Sequence, residues 1–322
     1  MAGSLPDLVC PQHGGKALSR LADGWRCQQG CVYAVRDGIV RFVPTSNYAA
    51  AFGLQWNRYR RTQLDSYTGA PLTEQRLRRC LGDDLWDHLQ GKKILEVGCG
   101  AGRFTEVLLA RGASVYSTDL SDAVAANRDN FPESDRHRIA QADVCSLPFA
   151  PGQFDIVLCL GVVQHTPSPD KTVASLWSQV ACGGWLVIDH YAYNLSYFTK
   201  TAPAFRAVLK RLDPERALRI TDGLVRTLLP LHRAARHAYP LQALLSRLSP
   251  VQAYYHSLPE LNDELQREWA MLDTHDTLTD WYKHFRTRGQ VERLLTRLGA
   301  HPVWCERGGN GIEARGMKPK CT

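Results

Sequence analysis

The sequence predicts an α/β protein whose central domain is a doubly wound, mostly parallel sheet. Between residues 91 and 190, short apolar runs alternate with amphipathic stretches, as in repeated βαβ units. A glycine-rich turn, EVGCGAGR, joins the first apolar run to the first amphipathic stretch. With 322 residues, 44% hydrophobic and 22% charged, the chain can bury a core, and this composition excludes a disordered or coiled-coil protein.

Residues 1–45 form the first predicted unit, which is too small to be stabilised by burial alone. It holds four potential metal ligands in two close pairs: Cys10, His13, Cys27 and Cys31. Two such turns can meet around one tetrahedral zinc ion, and the alternative is a metal-free unit with reduced cysteines. The apolar residues that flank Asp37-Gly38 predict a hairpin after the second pair.

Residues 46–90 have a helical pattern rich in aromatic residues and arginine, with a helix start at Pro71. The other seven cysteines are scattered, and no secretory signal pattern begins the sequence. We therefore expect no disulfides among them. No apolar run approaches the roughly 18 residues of a membrane span, which predicts a cytoplasmic protein.

The strands of the central domain, residues 91–190, are predicted from five apolar runs: KKILEVGC, ASVYSTDL, HRIAQADV, FDIVLCLGV and GGWLVIDHY. Residues 191–285 break this rhythm and predict a helical insertion. Residues 286–322 predict a helix and a hairpin, turning at residues 308–311, that returns to the sheet. Together these runs predict seven strands.

The glycine-rich turn follows a predicted strand and opens a predicted helix, the context in which such a turn binds a ligand. Its glycines allow a tight turn and a close approach of the ligand to the backbone. The dinucleotide pattern G-x-G-x-x-G is not met, because Arg103 stands where its last glycine belongs. A phosphate-binding P-loop would need Gly-Lys-Ser/Thr, which is absent.

The segment ILEVGCGAGRF resembles the first motif of the class I S-adenosylmethionine-dependent methyltransferases, and the resemblance extends over about 100 residues. It implies a Rossmann-like domain with S-adenosylmethionine as cofactor, and it implies that the helical insertion of residues 191–285 is a lid over the substrate. Asp119 would then hold the ribose hydroxyls, and Asp143 would read the adenine amino group. The cofactor-binding residues implied are Glu96, Gly98, Cys99, Gly100, Gly102, Asp119, Leu120, Ala142, Asp143, Val144, Leu160 and Gly161. The alternative is a Rossmann-like domain whose loop is only a structural turn.

A general base is needed only if the acceptor must lose a proton early in methyl transfer. His165 and His190 follow or end predicted strands, where ligands bind in open α/β sheets. His165 is preferred, because enzymes that this chain resembles often carry a histidine there. The alternative is that His165 packs beneath the cofactor.

The segment LDTHDTLTDWYKHF gathers Asp273, His275, Asp276, Asp280, Tyr282 and His284. Its part around Asp276 and Tyr282 resembles a substrate wall of similar bacterial methyltransferases, and the alternatives are a metal site or a solvated loop. The segment FGLQWNRYRRTQLDSY resembles their covering helix, so Gln55, Trp56 and Arg61 are candidates for contacting cofactor or substrate. Core packing is the alternative for the aromatic residues.

The N-terminal unit resembles the zinc ribbons of CPxC…C…YxVRDGIP type that precede some bacterial methyltransferase domains. Here the chain reads CPQH and CVYAVRDGIVRFV, with His13 in place of a cysteine. The resemblance implies a structural Cys3His zinc site. Such ribbons either bind RNA or act as platforms, and no dense basic and aromatic face here specifically supports nucleic-acid binding.

Three functions remain open on the sequence. The first is methyl transfer to a small-molecule, glycan or lipid-linked acceptor, and the second is methylation of tRNA or rRNA. The third is a cofactor-binding scaffold without catalysis. Residues 190–250 hold ten lysines and arginines and three acids. The net charge of this segment is therefore +7, the same as that of the whole chain. The default interpretation of this excess of positive charge is a solvated helix face. The functional interpretation is an anionic acceptor or carrier, or peripheral contact with a membrane.

Overall fold

The structure, a computed structural model, describes residues 5–44 and 47–321. The predicted boundary between residues 45 and 46 therefore lies outside the described residues. Eleven described strands follow one another in the chain: β1 Leu18–Arg20, β2 Gly24–Cys27, β3 Val32–Arg36, β4 Ile39–Arg41, β5 Lys93–Val97, β6 Ser114–Asp119, β7 His137–Gln141, β8 Phe154–Cys159, β9 Val180–His190, β10 Val303–Gly308 and β11 Gly311–Met317.

These strands form one mixed sheet in the order β1-β2-β3-β4-β7-β6-β5-β8-β9-β11-β10. Neighbours from β4 to β9 pair in parallel, whereas the three N-terminal pairings and the two that involve β11 are antiparallel. The prediction of seven mostly parallel strands therefore gave too few strands and too few antiparallel pairings. The reason is that β4 pairs with β7, with Val40 opposite Ala140, so the N-terminal strands extend the sheet.

The N-terminal hairpin turns where the sequence predicted it. Asp37 and Gly38 both have positive φ, 50° and 70°, as a tight two-residue turn between β3 and β4 requires. Arg41 at the end of β4 is buried, and its guanidinium lies 3.1 Å from Asp122 and donates to Gln141. The N-terminal unit is thus attached to the central domain by backbone and side-chain contacts.

Twelve α-helices are described: α1 Ala50–Arg58, α2 Asp65–Thr68, α3 Leu72–Leu81, α4 Asp83–Trp86, α5 Arg103–Ala110, α6 Ala123–Asn130, α7 Pro169–Gln179, α8 Ala202–Leu209, α9 Pro214–Ala234, α10 Tyr239–Leu248, α11 Asp263–Thr279 and α12 Arg288–Arg297. Successive side chains of a strand point to opposite faces of the sheet, and both faces are buried. Leu95 packs in one apolar cluster and Ile94 in the other. In the helical insertion, residues 191–285, Val225 of α9 and Met271 of α11 share a separate core.

A disulfide joins Cys182 and Cys321, contrary to the expectation that the scattered cysteines stay reduced. The C-terminal segment runs back beside the start of β9, where the Gly183 amide donates to the Lys318 carbonyl at 2.9 Å. This pairing brings the two cysteine Cα atoms to 5.4 Å, a separation that a disulfide can bridge.

Within the described residues, none of the helices is both long and apolar enough to cross a bilayer.

Candidate functional site

A cavity of about 1010 Å³ opens at the carboxyl ends of the parallel strands. Its floor is the glycine-rich turn after β5 together with the residues that follow β6, β7, β8 and β9. Helix α1 and the helical insertion supply the opposite walls. Crevices at this edge of an α/β sheet are where ligands bind.

The glycine-rich turn needs its glycines for steric reasons. Gly98, Gly100 and Gly102 all have positive φ, between 51° and 95°. A Cβ atom on Gly98 would lie 2.1 Å from Cγ2 of Val162, and one on Gly102 would lie 2.7 Å from the Phe131 ring. A larger residue in the turn would therefore displace the walls of the cavity.

Asp119, at the end of β6, is tied to the glycine-rich turn. Its Oδ2 accepts from the Gly100 amide at 3.0 Å, and its Oδ1 accepts from the amide and hydroxyl of Ser121. Burial raises the pKa of Asp119, and these hydrogen bonds oppose the shift. A carboxylate has about four acceptor positions, so the three used here leave one for a ligand.

The predicted cofactor residues divide into two groups. The larger group lines the cavity: Gly98, Cys99, Gly100, Asp119, Leu120, Ala142, Val144, Leu160 and Gly161. Glu96, Gly102 and Asp143 do not line it. One carboxylate oxygen of Asp143 accepts from the Cys145 amide at 2.8 Å.

Glu96 lies behind the turn, in the interior. Its carboxylate accepts from the hydroxyls of Thr105 and Ser117, and only 2% of the residue is exposed. Burial raises the pKa of Glu96 to about 7, although the two hydroxyls lower it. The geometry thus gives Glu96 a supporting place beneath the turn.

His165 follows β8 in a short 3-10 turn and lines the cavity. Its Nδ1 lies 3.1 Å from Oδ2 of Asp280 and 3.2 Å from the Tyr282 carbonyl oxygen. Its Nε2 lies 3.2 Å from the Tyr191 hydroxyl. Both ring nitrogens therefore have partners within the protein, and Tyr191, the partner of Nε2, also lines the cavity.

Asp280 is a buried carboxylate shared by three groups. Besides His165, it contacts Lys283 at 2.8 Å and the Arg206 guanidinium. Burial alone would raise its pKa, but His165, Lys283 and Arg206 together hold the pKa of Asp280 below its usual range. An ionised Asp280 favours the His165 tautomer that carries its proton on Nδ1.

His190 is placed differently from His165. It is buried in β9, does not line the cavity, and its Nδ1 contacts the Tyr191 carbonyl oxygen at 3.1 Å. Burial lowers the pKa of His190 to about 4. The next residue, Tyr191, does line the cavity. Sequence reasoning missed it, and the available signal was an aromatic residue directly after the fifth core strand.

The acidic cluster of α11 separates in the structure. Asp273 and Asp276 face the cavity, whereas His275 faces away and contacts the Thr221 hydroxyl at 3.4 Å. Burial raises the pKa of Asp273 to about 6, and the Tyr254 hydroxyl donates to it. Within residues 5–44 and 47–321, this cluster does not bring three metal-ligating side chains together.

Some of the remaining candidates for substrate contact line the cavity, and others lie outside its lining. Gln55 and Trp56 of α1 line the cavity. Arg61 does not, since its guanidinium lies over the Tyr67 ring at 4.9 Å. Tyr282 is also outside the lining, and its ring packs edge-on against Tyr48, 5.3 Å away.

The four ligands predicted in the N-terminal unit come together. The three sulfur atoms of Cys10, Cys27 and Cys31 lie 3.5, 3.3 and 3.4 Å from Nδ1 of His13, and all four atoms lie within 4.8 Å of one another. Tetrahedral zinc bonds of about 2.3 Å to sulfur and about 2.0 Å to nitrogen set a sulfur–nitrogen separation near 3.5 Å. The donor set and its spacing therefore fit zinc.

Comparisons with known proteins agree with this architecture. A family model described as a methyltransferase domain matches residues 95–188. The ubiquinone biosynthesis O-methyltransferase of Thiobacillus denitrificans (strain ATCC 25259 / T1) is 33% identical over 129 residues, 38% of this chain and 55% of that protein. Its counterpart from Chromobacterium violaceum is 31% identical over 192 residues, 57% of this chain and 78% of that protein.

Among solved structures, a SAM-dependent methyltransferase of Methanosarcina mazei has 15% identity and a TM-score of 0.41, covering 71% of this chain and 93% of that one. The chain spans about half the length of the first curated relatives it matches. The fold and the glycine-rich turn define a ligand-binding α/β domain of open-sheet type. With the sequence matches, the chain belongs to the class I S-adenosylmethionine-dependent methyltransferases.

Proposed function

We propose that the protein transfers a methyl group from S-adenosylmethionine to a small hydroxylated aromatic acceptor. The observation that carries this proposal is one cavity lined both by the glycine-rich turn with Asp119 and by the His165–Tyr191 pair. The curated relatives are named as O-methyltransferases of ubiquinone biosynthesis, which supports an oxygen nucleophile on an aromatic ring. Aromatic side chains of the cavity support a planar acceptor: Tyr48, Phe52, Trp56, Tyr191 and Phe285.

The cavity residues fit the cofactor. The cradle of positive-φ glycines has no room for Cβ atoms, and Asp119 keeps one acceptor position for a ribose hydroxyl. Ala142 and Val144 would flank the adenine, and Asp143 would accept from its amino group. S-adenosylmethionine bound there would supply an activated methyl group on its sulfonium, and the electron pair of the carbon–sulfur bond would return to sulfur.

The acceptor's proton is taken by a relay of three side chains. As the acceptor oxygen forms its bond to the methyl carbon, the Tyr191 oxygen takes the acceptor's proton and passes its own to Nε2 of His165. The resulting imidazolium is stabilised by Asp280 at Nδ1. Tyr191 is thus the catalytic residue that touches the acceptor, while Asp280 positions His165. His190, which is outside the cavity lining, has no part in this relay.

The N-terminal unit binds one structural zinc ion through Cys10, His13, Cys27 and Cys31. This supports the proposal of a zinc ribbon, because the sulfur–nitrogen separations match tetrahedral coordination. The Tyr33 hydroxyl, 3.1 Å from the Cys10 sulfur, would orient that ligand from outside the coordination sphere.

The outer face of the helical insertion binds an anionic membrane surface. Leu241, Leu244 and Leu248 of α10 follow helical spacing and are 49%, 52% and 62% exposed. Of the ten basic residues within residues 190–250, seven are exposed: Arg211, Arg216, Arg219, Arg226, Arg233, Arg236 and Arg247. Only Lys200 of the ten lines the cavity, and Arg206 is bound to Asp280. The charge excess therefore favours a surface partner over an acidic group inside the cavity.

Binding and transfer assays test the proposal. Asp119→Ala should weaken S-adenosylmethionine binding at least tenfold, because it removes the ribose acceptor and the Gly100 contact. The exposed Asp170→Asn is the matched control. Radiolabelled methyl groups should pass to catechol-type or quinol acceptors. Unchanged affinity in Asp119→Ala contradicts the cofactor assignment, and labelling of tRNA or rRNA instead contradicts the acceptor class.

A further inference from the structure

Lys283, near the end of the helical insertion, holds its ammonium out of water. Its side chain is 5% exposed, and Nζ lies 2.8 Å from Oδ2 of Asp280. The same atom lies over the Tyr191 ring, 5.0 Å from its centroid, and 5.7 Å from the centroid of the Tyr197 ring. Lys283 also lines the cavity. It therefore contacts the acid and the phenol that stand on either side of His165.

Lys283 differs in place from the other cations of the cavity lining. Within residues 5–44 and 47–321, none of the others forms an ion pair with Asp280 or lies over the Tyr191 ring: Arg76, Arg79, Arg103, Lys200 and Arg307. Arg76 and Arg79 are paired with acids of β9 and β11. Arg103 has neutral partners, the Gln63 amide oxygen and the Thr73 hydroxyl. Contact with the relay, and not the lack of an anion, is what distinguishes Lys283.

The Lys283 ammonium has donors that the protein does not use. An ammonium carries three N–H groups, and among the described residues Asp280 is its one polar partner within ion-pair or hydrogen-bond distance. Asp280 is shared with His165 and the Arg206 guanidinium, so its charge is not reserved for Lys283. A buried cation with two unused donors at a cavity favours a ligand atom that accepts hydrogen bonds and carries negative charge.

The Tyr191 hydroxyl limits where the acceptor oxygen can lie. An oxygen that passes its proton to this hydroxyl must come within about 2.7 Å of it. That place is beside the ring over which the Lys283 ammonium stands. As the acceptor oxygen loses its proton it gains negative charge, and a fixed cation in a site with little water lowers the energy of that charge.

We propose that Lys283 is a catalytic residue whose ammonium donates a hydrogen bond to the phenolic oxygen of the acceptor and stabilises that oxygen as an anion. This inference rests on the proposed function. The ammonium keeps its own proton throughout. The acceptor's proton passes to the Tyr191 oxygen, and an electron pair of the acceptor oxygen forms the bond to the methyl carbon. The competing role is that of a positioning residue, which would act on His165 only through Asp280.

Two acceptors separate these roles: catechol, which must lose its proton, and 4-nitrocatechol, whose nitro group ionises it near neutral pH. Lys283→Met should lower kcat for catechol about 10²-fold to 10³-fold, the usual loss for one donor to an oxyanion. With 4-nitrocatechol at pH 8, kcat should change little, because no proton remains to be removed. KM should instead rise about tenfold to hundredfold, because the bound anion loses a charged hydrogen bond.

Lys210→Met is the matched control, since this ammonium lies over the Trp281 ring and outside the cavity lining. It should keep the wild-type values for both acceptors. Lys283→Met should also keep the wild-type affinity for S-adenosylmethionine, because Arg206 and His165 still contact Asp280. Lys283→Arg, which keeps the charge, should recover part of the affinity for 4-nitrocatechol.

A measurement on the wild type does not depend on how the variants fold. The absorbance of 4-nitrocatechol reports its ionisation, and it is followed against pH in the complex with S-adenosylhomocysteine. The pKa of the bound compound should be about 1 to 3 pH units lower than that of the free compound, as a cation at close range produces. A bound pKa equal to the free value, or above it, overturns the inference.

Three kinetic outcomes also overturn the inference. A lower kcat for catechol with an unchanged KM for 4-nitrocatechol would assign Lys283 to positioning through Asp280. Equal loss of kcat with both acceptors would mean general damage to the site, and unchanged kinetics would remove Lys283 from the reaction. If the wild type methylates neither acceptor, the proposed function itself is contradicted, so the two failures are distinguishable.

Discussion

The Nδ1 atom of His165 lies 3.1 Å from Oδ2 of Asp280, and this contact joins the 3-10 turn after β8 to the end of α11, the last helix of the insertion. On the other side of the ring, Nε2 meets the Tyr191 hydroxyl at 3.2 Å. The imidazole is therefore held between an acid and a phenol. This arrangement is the one on which the proposed proton relay rests.

Removal of any member of this relay should lower kcat by about 10²- to 10⁴-fold, the usual contribution of a general base. Tyr191→Phe is the cleanest variant, because it deletes only the hydroxyl, and His165→Asn and Asp280→Asn complete the series. The double variant Tyr191→Phe/His165→Asn should be no slower than the worse single variant, since the groups act as a unit. Donor affinity should stay within about twofold of the wild type.

Asp170→Asn, at an exposed side chain, is the control and should keep the wild-type kcat. Additive losses in the double variant would contradict the relay, because groups that act as a unit are not additive.

Glu96 should make the protein less stable as the pH rises. Burial raises its folded-state pKa to about 7, above the ordinary value of 4.5. The folded state thus keeps a proton that the unfolded chain releases, so this contribution is present at low pH and is lost as pH rises through about 7. Relative to Glu96→Gln, the wild type should lose on the order of 2 to 3 kcal/mol of unfolding free energy between pH 5 and 8.

Chemical denaturation at several pH values measures this difference, with Glu74→Gln at an exposed ion pair as the control. If the difference in unfolding free energy between the wild type and Glu96→Gln does not depend on pH, the raised pKa of Glu96 is contradicted. Donor affinity at pH 6 should change little in Glu96→Gln, because the side chain lies behind the turn.

The N-terminal unit should bind one zinc ion per chain. Cys27→Ser, or treatment with a strong chelator, should lower the zinc content to near zero and speed hydrogen exchange in β1–β3. Exchange in β5 and β6 should change little, because β4 and β7 lie between these strands and β1–β3 in the sheet. Cys145→Ser, at an exposed thiol, should keep both the metal and the exchange pattern. Slow exchange in β1–β3 of the metal-free protein would contradict a structural role for zinc.

The outer face of the helical insertion should bind vesicles that contain phosphatidylglycerol and ignore those of phosphatidylcholine alone. Replacing Leu241, Leu244 and Leu248 with serine should weaken binding at least tenfold, since each leucine can bury apolar area in the bilayer. Val32→Ser, at a residue of β3 that is 57% exposed, is the matched control. Equal binding by the triple variant and the wild type would remove this surface from the proposal.

The sequence by itself determined the features that depend on local pattern. The core strands, the glycine-rich turn and the turn at Asp37-Gly38 follow from apolar periodicity and from residues that tolerate positive φ, both of which are readable within a short window. The two close pairs of metal ligands were readable for the same reason. Asp119 was singled out by the resemblance to class I methyltransferases, at the end of the second core strand.

Only the tertiary structure decided which distant residues meet. Nothing near position 165 indicates that its imidazole contacts Asp280 and Tyr191, because those contacts arise when the helical insertion folds back over the sheet edge. The same folding turned His275 away from the cavity and neutralised Arg206, whereas the charge count treated all ten basic residues alike. It also left Arg103 with neutral partners. Charge and residue type are properties of a sequence, but burial and pairing depend on neighbours that only the folded chain assembles.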